Sequence, residues 1–191
     1  MYNLVEFHDC LQRAALILRD CQVRFSLTGG AAAIAYGDPR TTQDVDLVVD
    51  SIPLNARLPL FFDQARAQRF LFSEHTIREA VASGRQFQLI DVESTLKLDL
   101  YPRELVPDEL SRVVEIAVAP GLFLPVASRP DLIISKLIWI SKGSHKSRRD
   151  VKQVMQRVTD VERSQAYELA QQMNLRALLD EVLAEPDEID A

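Results

Sequence analysis

The sequence predicts an α+β fold: a mixed or antiparallel sheet flanked by helices, with a helical C-terminal part. Three observations carry that expectation. Strand-like runs come singly or in tight pairs and do not alternate with helices in a repeating unit. Two of the pairs close on the short turns Glu93-Ser94 and Pro120-Gly121. From Ser128 onward every apolar stretch follows a helical period.

The elements follow in order. Residues 3–20 read as a helix, with Asn3 as cap, Glu6 three residues on, and Leu4, Phe7, Leu11, Ala14 and Leu18 on one stripe. Val23 to Leu27 is a short strand running into Thr28-Gly29-Gly30, and Ala31 to Tyr36 is a helix of small residues stopped by Gly37 and Pro39. Gln43 to Asp50 alternates and is rich in valine, so it is a strand. Residues 54–70 and 76–83 read as helices. Phe87 to Val92 and Thr95 to Tyr101 form one hairpin, and Val113 to Val118 with Leu122 to Val126 form a second. A composition shift near Ser128 predicts a core over 1–127 and a helical subdomain over 128–191 packed on it.

Composition excludes several classes. Among 191 residues, 47% are apolar and 26% charged, an ordinary globular balance. Cys10 and Cys21 have no CxxC partner and no histidine cluster, which speaks against structural zinc and suits a reducing compartment. No apolar run spans a bilayer, and the first residues lack the apolar core of a signal peptide, so a cytoplasmic location is expected. The net charge of −6 opposes general nucleic-acid binding. Yet the window from Lys136 to Arg157 holds seven basic residues against the single acid Asp150. Such asymmetry marks either a site for a phosphate-bearing partner or a solvated helix face. The last twelve residues hold six acids and read as a frayed tail.

The informative segment is Thr28 to Asp50. Alternation puts Asp44 and Asp46 on one strand face, about 6.6 Å apart, while Val45, Leu47 and Val49 turn to the core. Two carboxylates on one face repel each other unless water or a cation stands between them, and magnesium with oxygen ligands meets that need. In the later strand the leucines Leu96, Leu98 and Leu100 share one face, and Lys97, Asp99 and Tyr101 share the other. If that strand lies beside the first, Asp99 joins the pair. Three carboxylates can then hold two metal ions for in-line phosphoryl transfer, with Asp99 available as a base. Gly29-Gly30, after a strand and at the opening of a helix, leaves backbone N–H groups free to approach phosphate oxygens. Thirteen residues separate Gly30 from Asp44.

At these residues the chain resembles the nucleotidyltransferase superfamily shared with DNA polymerase beta, whose pattern is hG[GS], a spacer, Dh[DE]h and a later strand carboxylate. GDPRTTQDVDLVV, GRQFQLIDVESTLKLDLY, LPVASRPDLIISKL and the later RRD resemble its AbiEii-type toxin branch, over about residues 25 to 155. The resemblance implies transfer of a nucleoside monophosphate from an NTP to an acceptor hydroxyl, with magnesium. It further implies an acceptor that is often the tRNA 3′ end and a cognate antitoxin that restrains the enzyme.

Further candidates each carry two readings. Lys136 lies in a helix apolar on nearly every face, so it either meets a triphosphate or snorkels to solvent. Asp150 matches the acid that follows the lysine in the branch. It orients Lys136 or the nucleotide, or it pairs with Lys146 or Arg149. Arg40 and Thr42 either reach the triphosphate or shape the turn after Pro39. Asp50 and Asp91 read as solvent-facing or hairpin residues, and Trp139 as core. Two other function classes stay open. One is a non-catalytic module on the same fold that acts on a partner protein. The other is a nucleotidyltransferase that modifies a protein or an aminoglycoside.

Overall fold

The structure, a computed structural model, describes residues 4–37 and 44–186. The predicted cap Asn3 and the candidates Arg40 and Thr42 lie outside the described residues. The chain divides into two compact units, Met1–Ala127 and Ser128–Ala191.

The first unit is built on one sheet. In chain order it holds α1 (Leu4–Asp20), β1 (Phe25–Thr28), α2 (Gly29–Ala35), β2 (Asp44–Val49), α3 (Ser51–Ala56), α4 (Leu58–Ala67), β3 (Phe70–Leu71) and α5 (Glu74–Ser83). It continues with β4 (Phe87–Asp91), β5 (Lys97–Tyr101), a 3-10 turn at Glu109–Ser111, β6 (Val114–Ala119) and β7 (Leu122–Val126). The strand order is β3-β4-β5-β2-β1-β7-β6. β2 runs parallel to β5 and β1 parallel to β7, and the other neighbours are antiparallel. This is the mixed α+β sheet that the sequence predicts.

Alternation along the central strands sets the two faces. Val45 and Leu47 of β2, Leu98 and Leu100 of β5, and Phe87 and Leu89 of β4 are all buried. Their polar neighbours Asp44, Asp46, Lys97, Asp99 and Gln88 emerge on the opposite side, from half-buried to exposed.

Two elements differ from expectation. The single helix over 54–70 is two helices and a strand. Pro59 stands in the first turn of α4, where it has no N–H for the carbonyl four residues back, so an unbroken helix cannot pass through it. Arg57, at φ −121°, makes the corner between α3 and α4. The left-handed Arg69 then releases Phe70 and Leu71 to pair with β4. Gly29 and Gly30 do not precede the short helix but form its first turn.

Asp91 is a hairpin residue but not solvent-facing: it is 1% exposed. It accepts from Ser94 N and takes an ion pair from Arg13 at 2.9 Å. Asp50 caps α3 by accepting from Ile52 N and pairs with Arg24 at 2.7 Å.

The second unit is helical: α6 (Arg129–Ser141), α7 (Lys146–Met155), α8 (Asp160–Gln172) and α9 (Arg176–Ala184). Each start has a local cause. Ser128 caps α6 by accepting from Asp131 N, with Pro130 in the first turn. Thr159 and Glu162 form a reciprocal capping box on α8. α6 packs on α7 and α8, and α9 packs on α7 and α8. The acidic end is not frayed over its described part, since Glu181 and Glu185 both reach Arg148. No helix among the described residues is long and apolar enough to cross a membrane.

Candidate active site

The parallel register of β2 and β5 brings the acids together. Asp46 stands directly opposite Asp99, and Asp44 opposite Lys97. On the other side of β2, the antiparallel pairing sets Thr28 opposite Asp46. Beyond β5, Gln88 stands opposite Asp99. Cross-strand partners share a face, so one row runs Gln88, Asp99, Asp46, Thr28 across four strands. Asp44 lies on the same face, one strand repeat from Asp46.

The donors around this row are specific. Gln88 Nε2 donates to Asp99 Oδ1 at 2.7 Å. Tyr101 Oη donates to Asp46 Oδ1 at 3.3 Å. Burial holds the Tyr101 phenol far above its ordinary pKa, and the negative charges of Asp46, Asp99 and Asp44 push the same way. One buried phenol therefore feels all three carboxylates and keeps its proton as a hydrogen-bond donor.

Gly29 closes the other end. Its backbone is left-handed, at φ +65°. A Cβ built there would lie 2.0 Å from Asp46 Oδ2 and 2.9 Å from Asp46 Cβ. Asp46 thus packs directly on the backbone of the glycine turn, a closeness that only a residue without a side chain permits. Gly30 beside it is buried. Thr28 is 3% exposed, and its Oγ1 has no hydrogen-bond partner among the described residues.

These observations bear on a metal. Among the described residues no group of three or more His, Cys, Asp or Glu side chains stands ready as a ligand cluster. Asp99 is turned to Gln88. The donor chemistry fits a hard divalent cation all the same. The row offers carboxylate oxygens and an unsatisfied buried hydroxyl, with a glycine cradle at its end and neither a thiolate nor an imidazole in it.

Lys136 and Asp150 form a separate arrangement within the helical unit. Lys136 Nζ lies 2.6 Å from Asp150 Oδ2, with the side chains 8% and 5% exposed. The lysine does not snorkel, and the aspartate pairs with it. In the basic window Arg148 is engaged by acids of the C-terminal helix and its end, and Lys152 Nζ donates to the carbonyls of Glu185 and Pro186. Arg149 is exposed, as helical geometry requires.

Sequence reasoning missed Gln88 and Thr28. A turn predicted at Glu93-Ser94 sets Gln88 against Asp99, and the observed four-residue loop over 92–95, closed by Asp91 N–H donating to Leu96 O, keeps that register, so the signal was present. For Thr28 the only hint was a hydroxyl immediately before Gly-Gly.

No curated protein sequence matches the chain. The solution structure of the antibiotic-resistance factor ANT(2″)-Ia is similar at 13% identity and a TM-score of 0.57, covering 90% of this chain and 92% of that one. An antigenic nucleotidyltransferase-like protein from Paracoccidioides brasiliensis aligns at 17% identity and a TM-score of 0.49, covering 92% of this chain and 91% of that one. At such identities the first likeness speaks for the fold. The family model described as nucleotidyl transferase AbiEii toxin, type IV toxin–antitoxin system, matches residues 11–189. The chain therefore belongs to the AbiEii family of nucleotidyl transferase toxins.

Proposed function

We propose that this nucleotidyltransferase moves a nucleoside monophosphate from an NTP to the hydroxyl of an acceptor, an RNA 3′ end such as that of tRNA, and that the sheet unit over 1–127 carries the chemistry. One observation carries the reading: Asp46 stands opposite Asp99 on parallel strands while lying against the Gly29 turn.

Asp44, Asp46 and Asp99 are the residues that would hold magnesium, two ions by the carboxylate count. When bound, the metal offsets triphosphate charge and favours the ionised form of the attacking hydroxyl. Gly29 and Gly30 present backbone N–H groups, at the opening of α2, to the phosphate oxygens. Asp99 accepts the proton of the acceptor hydroxyl. The acceptor oxygen bonds to the α-phosphorus. The bond from that phosphorus to the bridging oxygen breaks, and pyrophosphate leaves with the electron pair. Tyr101, protonated, fixes one oxygen of Asp46. For Lys136, held by Asp150, we propose neutralisation of triphosphate charge, a role supported by the resemblance. A toxin role restrained by a cognate antitoxin follows from the family.

The test is incorporation of α-labelled NTP into total RNA, with each NTP and magnesium, by the wild type and by Asp46→Ala. Loss of incorporation with an unchanged circular dichroism spectrum is expected. Full activity of Asp46→Ala, or no incorporation by the wild type under any donor, refutes the reading, the latter in favour of a non-catalytic module.

A further inference from the structure

Beside the acid row, at the β3–β4 edge of the sheet, lies a groove of about 610 Å³. It lies within the range of small-ligand sites, roughly 300–1,000 Å³. Its walls include Leu71, Phe72 and Ile90, and its polar points are Ser73, Thr76, Gln86 and Gln88. No charged side chain lines it.

The groove is continuous with the acid face. Leu71 pairs with Ile90, Ile90 with Lys97, and Lys97 with Asp44. That row is parallel to the row of Gln88, Asp99, Asp46 and Thr28. The groove floor is therefore the same sheet face, one strand spacing, about 4.8 Å, from Asp99. Gln88 belongs to both: it lines the groove and donates to Asp99 Oδ1 at 2.7 Å.

The order along the row separates two substrates. Asp46 is backed by the Gly29 turn, the phosphate-binding end. Asp99 is backed by Gln88 and the groove. An in-line displacement needs its entering and leaving groups on opposite sides of the phosphorus. The donor then occupies the Gly29 end, and whatever fills the groove brings its hydroxyl to Asp99.

We propose that this groove is the acceptor subsite and takes the flat, uncharged nucleobase next to the reacting ribose hydroxyl of an RNA 3′ end. The proposal rests on the transfer function given above. A base stacks on apolar and aromatic walls and is read along its edge by amide side chains. Phe72 is a rigid wall because it is stacked on Phe62, with centroids 5.5 Å apart. The exposed Lys97, beside Ile90 in the register, suits a phosphodiester. A polyammonium sugar would lose water from its charges here, gain no carboxylate from the lining and meet Lys97. Gln88 is then a positioning residue, coupling the filled groove to the orientation of Asp99.

The probe is a single-stranded 12-nucleotide RNA ending in 3′-terminal 4-thiouridine, photocrosslinked to the full chain and mapped by mass spectrometry. Crosslinks are expected within 71–77 and 86–90. Thr76→Trp, on an exposed face, is expected to reduce them and to raise the KM for RNA at least tenfold, with the KM for NTP within twofold. Leu71→Arg, at a side chain 59% exposed, is a second obstruction with the same expected outcome. Gln88→Leu is expected to lower kcat about tenfold without moving Tm, which a merely structural role would not do.

Crosslinks confined to other segments, an unchanged KM for RNA in both groove variants, or protection by kanamycin at concentrations where adenosine does not protect would each overturn the proposal. The two readings fail separately. Transfer with crosslinks elsewhere removes the groove and leaves the function. Groove crosslinks without any transfer remove the function and leave an RNA-base site.

Discussion

Gly29→Ala probes the contact on which the site is built. Two costs add. The backbone at φ +65° is strained for any residue with a Cβ, by about 1–2 kcal/mol. The new methyl would also stand 2.0 Å from Asp46 Oδ2, 2.7 Å from Cγ and 2.9 Å from Cβ. Rotating the carboxylate relieves only the first of these contacts. Asp46 Cβ is fixed to β2, so the turn and the strand must part, at a cost typical of overpacking, about 1–3 kcal/mol. Gly121→Ala is the control. Its φ is +77°, and no atom lies within 4 Å of the added methyl, so it bears the strain without the clash. The difference between the two variants in urea unfolding should be about 1–3 kcal/mol. A displacement of Asp46 by about 1 Å should lower transfer on the order of a hundredfold, while Gly121→Ala keeps wild-type activity. A Gly29→Ala protein as stable as Gly121→Ala and fully active would refute the claim that Asp46 is seated on the glycine turn.

Lys136→Met leaves Asp150 buried without its ammonium partner and should cost about 3–5 kcal/mol in urea, most of it recovered by adding Asp150→Leu. Burial pushes the Asp91 carboxyl up, but hydrogen bonds from Ser94 and Arg13 overcome it and hold the pKa below the ordinary 3.8. Its contribution is therefore complete above that value and lost as pH falls through the folded-state pKa. The urea midpoint of Asp91→Asn should accordingly show a shallower acid slope below about pH 4 than the wild type. Asp99→Asn keeps an oxygen for Gln88 and removes a charge facing Asp46. In EDTA it should melt at or above the wild-type temperature while transfer is lost; a lower Tm would make Asp99 a structural carboxylate.

The fold was legible where pattern and punctuation agreed. The leucines of β5 and the valines of β2 alternate against acids, and the turns Glu93-Ser94 and Pro120-Gly121 delimit both hairpins. The acid pair was readable because a period of two leaves no freedom in which face Asp44 and Asp46 take. The addition of Asp99 depended on strand order, which local sequence does not encode; the structure supplies it through the parallel β2–β5 pairing. Misreadings arose where local rules were overridden. Helical periodicity ran through Arg57 although Pro59 forbids continuity, and Asp91 looked solvent-facing because its partner Arg13 lies 78 residues earlier in the sequence. Contact with Lys136 was one of the readings for Asp150, whereas for Lys136 the readings were a triphosphate or solvent; the packing of α6 on α7 brings the two side chains together.

The acid row has an energetic meaning of its own. Directly opposed carboxylates about 5 Å apart repel by about 1 kcal/mol in water and about 3 kcal/mol at an effective dielectric of 20. Asp46 and Asp99 are half-buried, so their repulsion lies between those limits. Tyr101 and Gln88 are neutral donors: they orient the two carboxylates but do not cancel their charge. Arg13 and Asp91 show the contrasting solution in the same sheet, where a buried acid receives a guanidinium at 2.9 Å. One carboxylate is neutralised because it belongs to the architecture; two others are aligned on a face that ends at a glycine whose missing Cβ makes room for one of them. A bound counter-charge removes the penalty, and magnesium with the triphosphate it carries supplies one. The unsatisfied Thr28 hydroxyl and the opposed carboxylates are then two costs of folding that one ligand relieves together.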